Sequence, residues 1–108
     1  MKLEFIETQI FTKLITNLLS DTEYLQLQNE LLNNPEKGDL IVGTGGVRKI
    51  RFGIEGAGKS GGIRIIYYYL LQDNQIYMLL AYPKSKKDTL TSEEKKQLKK
   101  IAMELKNG

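Results

Sequence analysis

Lys49 and Arg51, two apart in RKIRF, and Arg64 in the next apolar run, GIRII, are the residues best placed by type and spacing to do chemistry. On an extended strand over 47–54, Ile50, Phe52 and Ile54 point to one face and Lys49 and Arg51 to the other, with Arg48 falling among the apolar set. On the following strand Arg64 shares a face with Ile66 and Tyr68. On the last strand Tyr82 shares one with Met78 and Leu80. If the two basic strands pair as a hairpin, Lys49, Arg51 and Arg64 converge on one side of the sheet. Gathering like charges costs energy unless an anion sits at the centre. The plainer alternative is that each cation pairs with a carboxylate from the acidic first part of the chain.

The segment between these strands carries a competing signal. Gly53 to Ser60, GIEGAGKS, fits the phosphate-loop pattern G-x-x-x-x-G-K-[ST]. That motif needs a helix starting at its Lys-Ser pair, whose N-terminal N–H groups hold the phosphates. Here Gly61 and Gly62 follow, both poor helix formers, and then Ile63 to Leu71, a β-branched and aromatic run that favours a strand. The segment therefore reads as the turn of a basic hairpin.

The elements that must position these cations are legible from periodicity. Leu3 to Glu7 alternates as an exposed strand does. Ile10, Phe11, Leu14, Ile15, Leu18 and Leu19 recur at helical spacing, and Ser20 with Glu23 forms a capping box for a second helix whose inward side holds Tyr24, Leu27, Leu31 and Leu32. Pro35 stops that helix, so the two form a hairpin. A brief extended piece over Leu40 to Val42 precedes strands at Val47–Ile54, Ile63–Leu71 and Ile76–Tyr82, with Asp73-Asn74 at the tight turn between the last two. Thr91 to Glu94 opens a C-terminal helix with Leu98, Ile101, Ala102 and Leu105 on one side and lysines on the others. The fold class is α+β: a mainly antiparallel sheet of four or five strands, an N-terminal helix hairpin and a C-terminal helix in a single domain, 1–108.

Composition narrows the chemistry. The 108 residues contain no cysteine and no histidine, which removes disulfides, thiol or imidazole catalysis and most zinc sites. No metal and no cofactor is expected. No apolar run approaches the ~18 residues a membrane span needs, so no membrane partner is expected and the location reads as cytoplasmic. Net charge is +3, but residues 1–45 hold three lysines against seven acids and residues 46–108 thirteen basic residues against six acids. The second part is the one suited to a polyanion.

The element order, GTGGVRKIRFG, AGKSGG, IRIIYYYLL and the tail LLAYPKSKKDTLTSEEKKQLK together resemble the RelE/ParE superfamily of bacterial toxins, most of all its HigB-type members. The likeness runs over nearly the whole chain and is most specific over 43–69. It implies the toxin of a type II toxin–antitoxin system: an endoribonuclease, or mRNA interferase, that enters the ribosomal A site and cuts translated mRNA there. It also implies a cognate antitoxin, in this branch a helix-turn-helix HigA-like protein, through whose complex alone operator DNA is bound. Two other classes remain open at this point, a ParE-like DNA gyrase poison on the same fold and a non-catalytic nucleic-acid-binding regulator.

By that resemblance Lys49 and Arg51 stand where RelE-like nucleases place paired basic residues, and Arg64 where they place the arginine of the next strand. The family's further arginine and tyrosine are not matched in place: the segment reads Pro83-Lys84-Ser85-Lys86-Lys87, with Thr91 near the expected tyrosine. Tyr82 and Lys84 are the candidates to replace them. RNA cleavage by the ribose 2′-OH needs a base, cations for the phosphorane charge and an acid for the leaving 5′-oxygen. Without histidine the base is expected to be Lys49, whose cationic neighbours favour the neutral amine. Arg51 and Arg64 would hold the phosphate. Arg48, Lys59, Lys86 and Lys87 are expected to contact RNA or the ribosome.

Overall fold

The computed structural model describes residues 2–53, 62–87 and 89–108. Strand β1 (Glu4–Glu7) leads through α1 (Gln9–Leu18) and α2 (Asp21–Asn33) to β2 (Asp39–Leu40), β3 (Arg48–Phe52), β4 (Ile63–Leu70) and β5 (Gln75–Pro83), and α3 (Ser92–Asn107) closes the order. The sheet order is β1-β5-β4-β3-β2. All neighbours are antiparallel except β1 and β5, which run parallel. Parallel pairing is available to β1 because the α1–α2 hairpin and three further strands separate it from β5 in the chain.

Each helix starts where its side chains satisfy the free N–H groups of the first turn. Thr8 accepts from the Phe11 N–H, and complete capping boxes open α2 at Ser20/Glu23 and α3 at Thr91/Glu94. The sheet is covered on both sides. Phe11, Ile15, Leu19, Leu27 and Leu31 from the hairpin pack with Ile50, Phe52, Ile63, Ile65, Tyr67, Ile76 and Met78. Leu98 and Ala102 of α3 pack on the opposite face with Val47, Ile66, Tyr68, Leu79 and Tyr82. Ile10 and Leu32, expected in the core, are instead 56% and 39% exposed, because the stripe that meets the sheet is only one or two residues wide per turn.

Three local expectations change. The extended piece expected at 40–42 is Asp39–Leu40. Val42 already belongs to a tight loop that closes by the Ile41 N–H donating to the Val47 carbonyl at 2.9 Å, with the buried Thr44 hydroxyl donating to the Ile41 carbonyl at 2.7 Å. Gly46 in that loop has φ +118, and a Cβ there would come within 3.2 Å of the Tyr68 ring. The β4–β5 connection is not a two-residue turn. Leu71–Asp73 make one 3-10 turn, and Asn74 follows in the left-handed conformation that asparagine tolerates. Third, the β4–β5 register shifts between Ile66 and Tyr67, so that Ile66 pairs with Leu80 but Tyr67 with Met78. The extra residue, Leu79, is a β-bulge. It puts Met78 on the hairpin side and Tyr82 on the α3 side, where simple alternation had placed them together.

Candidate functional site

That bulge is what builds the site. Arg51 of β3 lies directly opposite Arg64 of β4, and Arg64 lies directly opposite Tyr82 of β5. Directly opposed residues share a face, as do residues two apart on a strand, so Lys49, Arg51, Arg64 and Tyr82 all stand on the α3 side of the sheet. The hairpin convergence expected for the three cations is present.

Arg64 is the anomaly among them. It is 4% exposed, and no ion pair joins its guanidinium to a carboxylate among the described residues. Its direct neighbours across the strands are another guanidinium and a tyrosine. The Nη1 atom lies 3.9 Å from where a Cβ on Gly62 would stand, which puts the guanidinium at the end of the sheet where β4 begins and β5 finishes. A buried arginine is ordinarily held by a carboxylate.

The other members are graded outward. Arg51 is exposed and Lys49 half-buried. Tyr82 is 7% exposed, its ring built into the α3-side core, which leaves little ring face for stacking on a base. Lys84 is exposed just past β5, and its N–H donates to the Gly62 carbonyl at 3.1 Å, fixing it two residues from Arg64 in the adjoining strand. Lys86 is exposed in the same turn. Lys87 is half-buried and ion-paired with Glu94, whose carboxyl is held below the usual range by Lys87 and by the cap of α3.

Arg48 is not brought to this group. It pairs with Tyr67 on β4, facing the helix hairpin, and donates from Nη1 to the Gly38 carbonyl at 2.7 Å and the Glu36 carbonyl at 3.1 Å, with Nη2 bridging to the Glu36 carboxylate at 3.3 Å. There it holds the α2–β2 connection. Lys59 and every residue of the GIEGAGKS pattern after Gly53 lie outside the described residues. The chain beyond them runs as a strand from Ile63, so among the described residues no helix directly follows the pattern.

Two neighbours went unrecognised in the sequence. Asp39 stands directly opposite Lys49 across β2–β3, so the lysine's surroundings are not purely cationic. Lys95 of α3 lines a cleft of about 100 Å³ together with Ile41, Lys49, Tyr82, Thr89 and Leu90. Both positions depend on which residues the register and helix docking bring together, and neither has a signature of its own.

With the fold and cationic face in view, comparison with known proteins gives a consistent answer. A family model described as the RelE toxin of the RelE/RelB toxin–antitoxin system matches residues 4–107. The chain belongs to this family and is a toxin-type component of a toxin–antitoxin pair, which implies an antitoxin partner. Its fold is similar to that of the E. coli toxin RelE solved as a double mutant in the free state, with a TM-score of 0.59 at 17% identity over 82% of this chain and 90% of that one. No helix among the described residues is long and apolar enough to cross a membrane.

Proposed function

We propose that this protein is a ribosome-dependent endoribonuclease that cuts translated mRNA in the A site and so inhibits translation. The observation that carries the reading is Arg64: a guanidinium 4% exposed, without a carboxylate partner among the described residues and facing Arg51. Such a pair is poorly satisfied alone and well satisfied by a phosphate, whose oxygens match the guanidinium donors. In the proposed reaction the ribose 2′-OH attacks the adjacent phosphorus and the bond to O5′ breaks, leaving a 2′,3′-cyclic phosphate and a 5′-hydroxyl. Lys49 takes the 2′-OH proton, Arg51 and Arg64 stabilise the phosphorane charge, and Lys84 at the end of β5 protonates O5′. Tyr82 serves as a buried wall beside Arg64 that keeps the phosphate site dry on one side. The step uses only side chains, without a metal ion.

Exposed Lys84 and Lys86 add a docking contribution toward ribosomal RNA. The antitoxin in this reading is a HigA-like helix-turn-helix protein, and operator DNA is met only through its complex. The test is induced expression followed by mapping of mRNA 5′ ends. Cuts are expected in frame within translated codons and should vanish in Arg64→Ala. Undiminished cleavage in that variant would remove the basis of the assignment.

A further inference from the structure

The cleft between β3, β5 and the start of α3 enters the scheme above only through Lys49 and Tyr82. Its described lining contains two lysines, Lys49 and Lys95, with Tyr82, Thr89, Leu90 and Ile41, and no carboxylate. Neither ammonium has a hydrogen bond or ion pair with a described residue. The nearest acid in sequence to Lys95, Glu94, is occupied by Lys87 and the Thr91 N–H. Asp39 lines a separate cleft with Lys37, Lys49 and Arg51.

Lys95 is also an odd residue for its own helix. It is the fourth helical residue of α3, close to the positive end of the helix dipole, where a cation is destabilising. The other α3 lysines, Lys96, Lys99, Lys100 and Lys106, are exposed, whereas Lys95 is half-buried against the sheet. Neither helix stability nor ion pairing with a described residue accounts for a lysine here.

Resting on the reading of the site as an RNA-cleaving one, we propose that Lys95 binds the 5′-phosphate of the nucleotide whose 3′-phosphate is held by Arg51 and Arg64. Lys49 lines the cleft with Lys95 and stands two residues from Arg51 on β3. Residues two apart on β3 are about 7 Å apart along the strand, so the Lys49 and Arg51 positions lie one above the other on the cationic face, and Lys95 shares a cleft with Lys49. One nucleotide spans this line, its ribose 2′-OH at Lys49 and a phosphate on either side. Lys95 thereby fixes the sugar against the base and selects substrates that continue in the 5′ direction.

The test is a thermodynamic cycle on the purified protein with adenosine 3′,5′-bisphosphate and adenosine 3′-monophosphate, by calorimetry. Wild type is expected to bind the bisphosphate about tenfold more tightly than the monophosphate. Lys95→Ala should lose that tenfold for the bisphosphate and leave the monophosphate unchanged, Lys95→Arg should keep it, and the exposed control Lys96→Ala should behave as wild type. Lys95→Met retains the aliphatic stem against the sheet and should match Lys95→Ala, separating charge from packing. Arg64→Ala should weaken both ligands. Equal effects of Lys95→Ala on the two ligands, no effect on either, or failure of the wild type to bind the bisphosphate would each overturn the proposal. If the cycle closes as expected while mRNA is left uncut in cells, the nuclease reading falls and the nucleotide subsite stands. If mRNA is cut but the cycle fails, the subsite alone is lost.

Discussion

At the scale of residues, the site is a place where the fold accepts instability. Taking a charge out of water without a partner is costly, and replacing buried charge with an apolar side chain of similar volume is often neutral or stabilising. Arg64 meets both conditions: it is buried, and Arg51 rather than a carboxylate is its cross-strand neighbour. Arg64→Met should therefore raise the melting temperature, by ~4–8 °C if the gain is ~1 kcal/mol in a domain of this size, while mRNA cleavage falls by ~10² or more. Thermal denaturation and cleavage measured on one preparation check it, and a lower melting temperature would show that a partner for Arg64 exists in the apo protein. The sequence disclosed the residue types and their alternation, which is why Lys49, Arg51 and Arg64 were found together. It could not disclose that Arg64 would be the buried one, since burial depends on where α3 comes to rest. Tyr82 reaches the site only because Leu79 bulges, and a run such as YMLLAY shows no sign of where an extra residue will be tolerated.

At the scale of elements, the cationic strand has two sides with different duties, and Arg48 and Tyr67 show it. The Tyr67 hydroxyl donates to the Pro35 carbonyl at 2.8 Å and accepts from the Gly38 N–H at 2.9 Å, while Arg48 gathers the Gly38 and Glu36 carbonyls. A Cβ at Gly38 would lie 2.8 Å from that hydroxyl, so the close approach requires glycine. Together these contacts clamp the α2–β2 connection over β3 and β4, holding β2 and with it Asp39 beside Lys49. Loss of one partner leaves buried groups unsatisfied at ~1–3 kcal/mol. Arg48→Ala and Tyr67→Phe should each destabilise the protein by that amount in urea, and their effects should fall short of additive because Gly38 is shared. Neither should change the salt dependence of ribosome binding. A shallower salt dependence in Arg48→Ala would return that residue to the RNA-contacting set. The capping boxes, the helix hairpin and the order of elements along the chain were legible because each is written locally, in Ser20/Glu23, Thr91/Glu94 and period-two runs. The parallel pairing of β1 with β5 was not, being a contact between distant parts of the chain.

At the scale of the whole molecule, both faces of the sheet are covered and the two sides carry different titratable chemistry. On the hairpin side the Tyr24 hydroxyl donates to Glu7 at 2.5 Å, and burial together with that carboxylate pushes its pKa above the ordinary tyrosine value. Burial pushes Tyr67 up as well. A group with a raised folded-state value binds its proton more tightly in the native protein, so its contribution is complete below the ordinary value near ~10 and is lost as pH rises through the folded value. On the α3 side Glu94 is shifted the other way, and its contribution is present above the ordinary carboxylate range and lost as pH falls below it. Stability should therefore form a plateau through neutral pH with an alkaline edge set on the hairpin side and an acid shoulder set at the start of α3. Tyr24→Phe removes a group that must stay neutral in the fold, so unfolding free energy measured by urea titration should fall less steeply above pH ~10 than in wild type. Glu94→Gln should leave that alkaline limb unchanged and flatten the acid one. An alkaline limb unaltered in Tyr24→Phe would mean that the Tyr24–Glu7 contact does not persist in solution, and with it the seam joining β1 to α2.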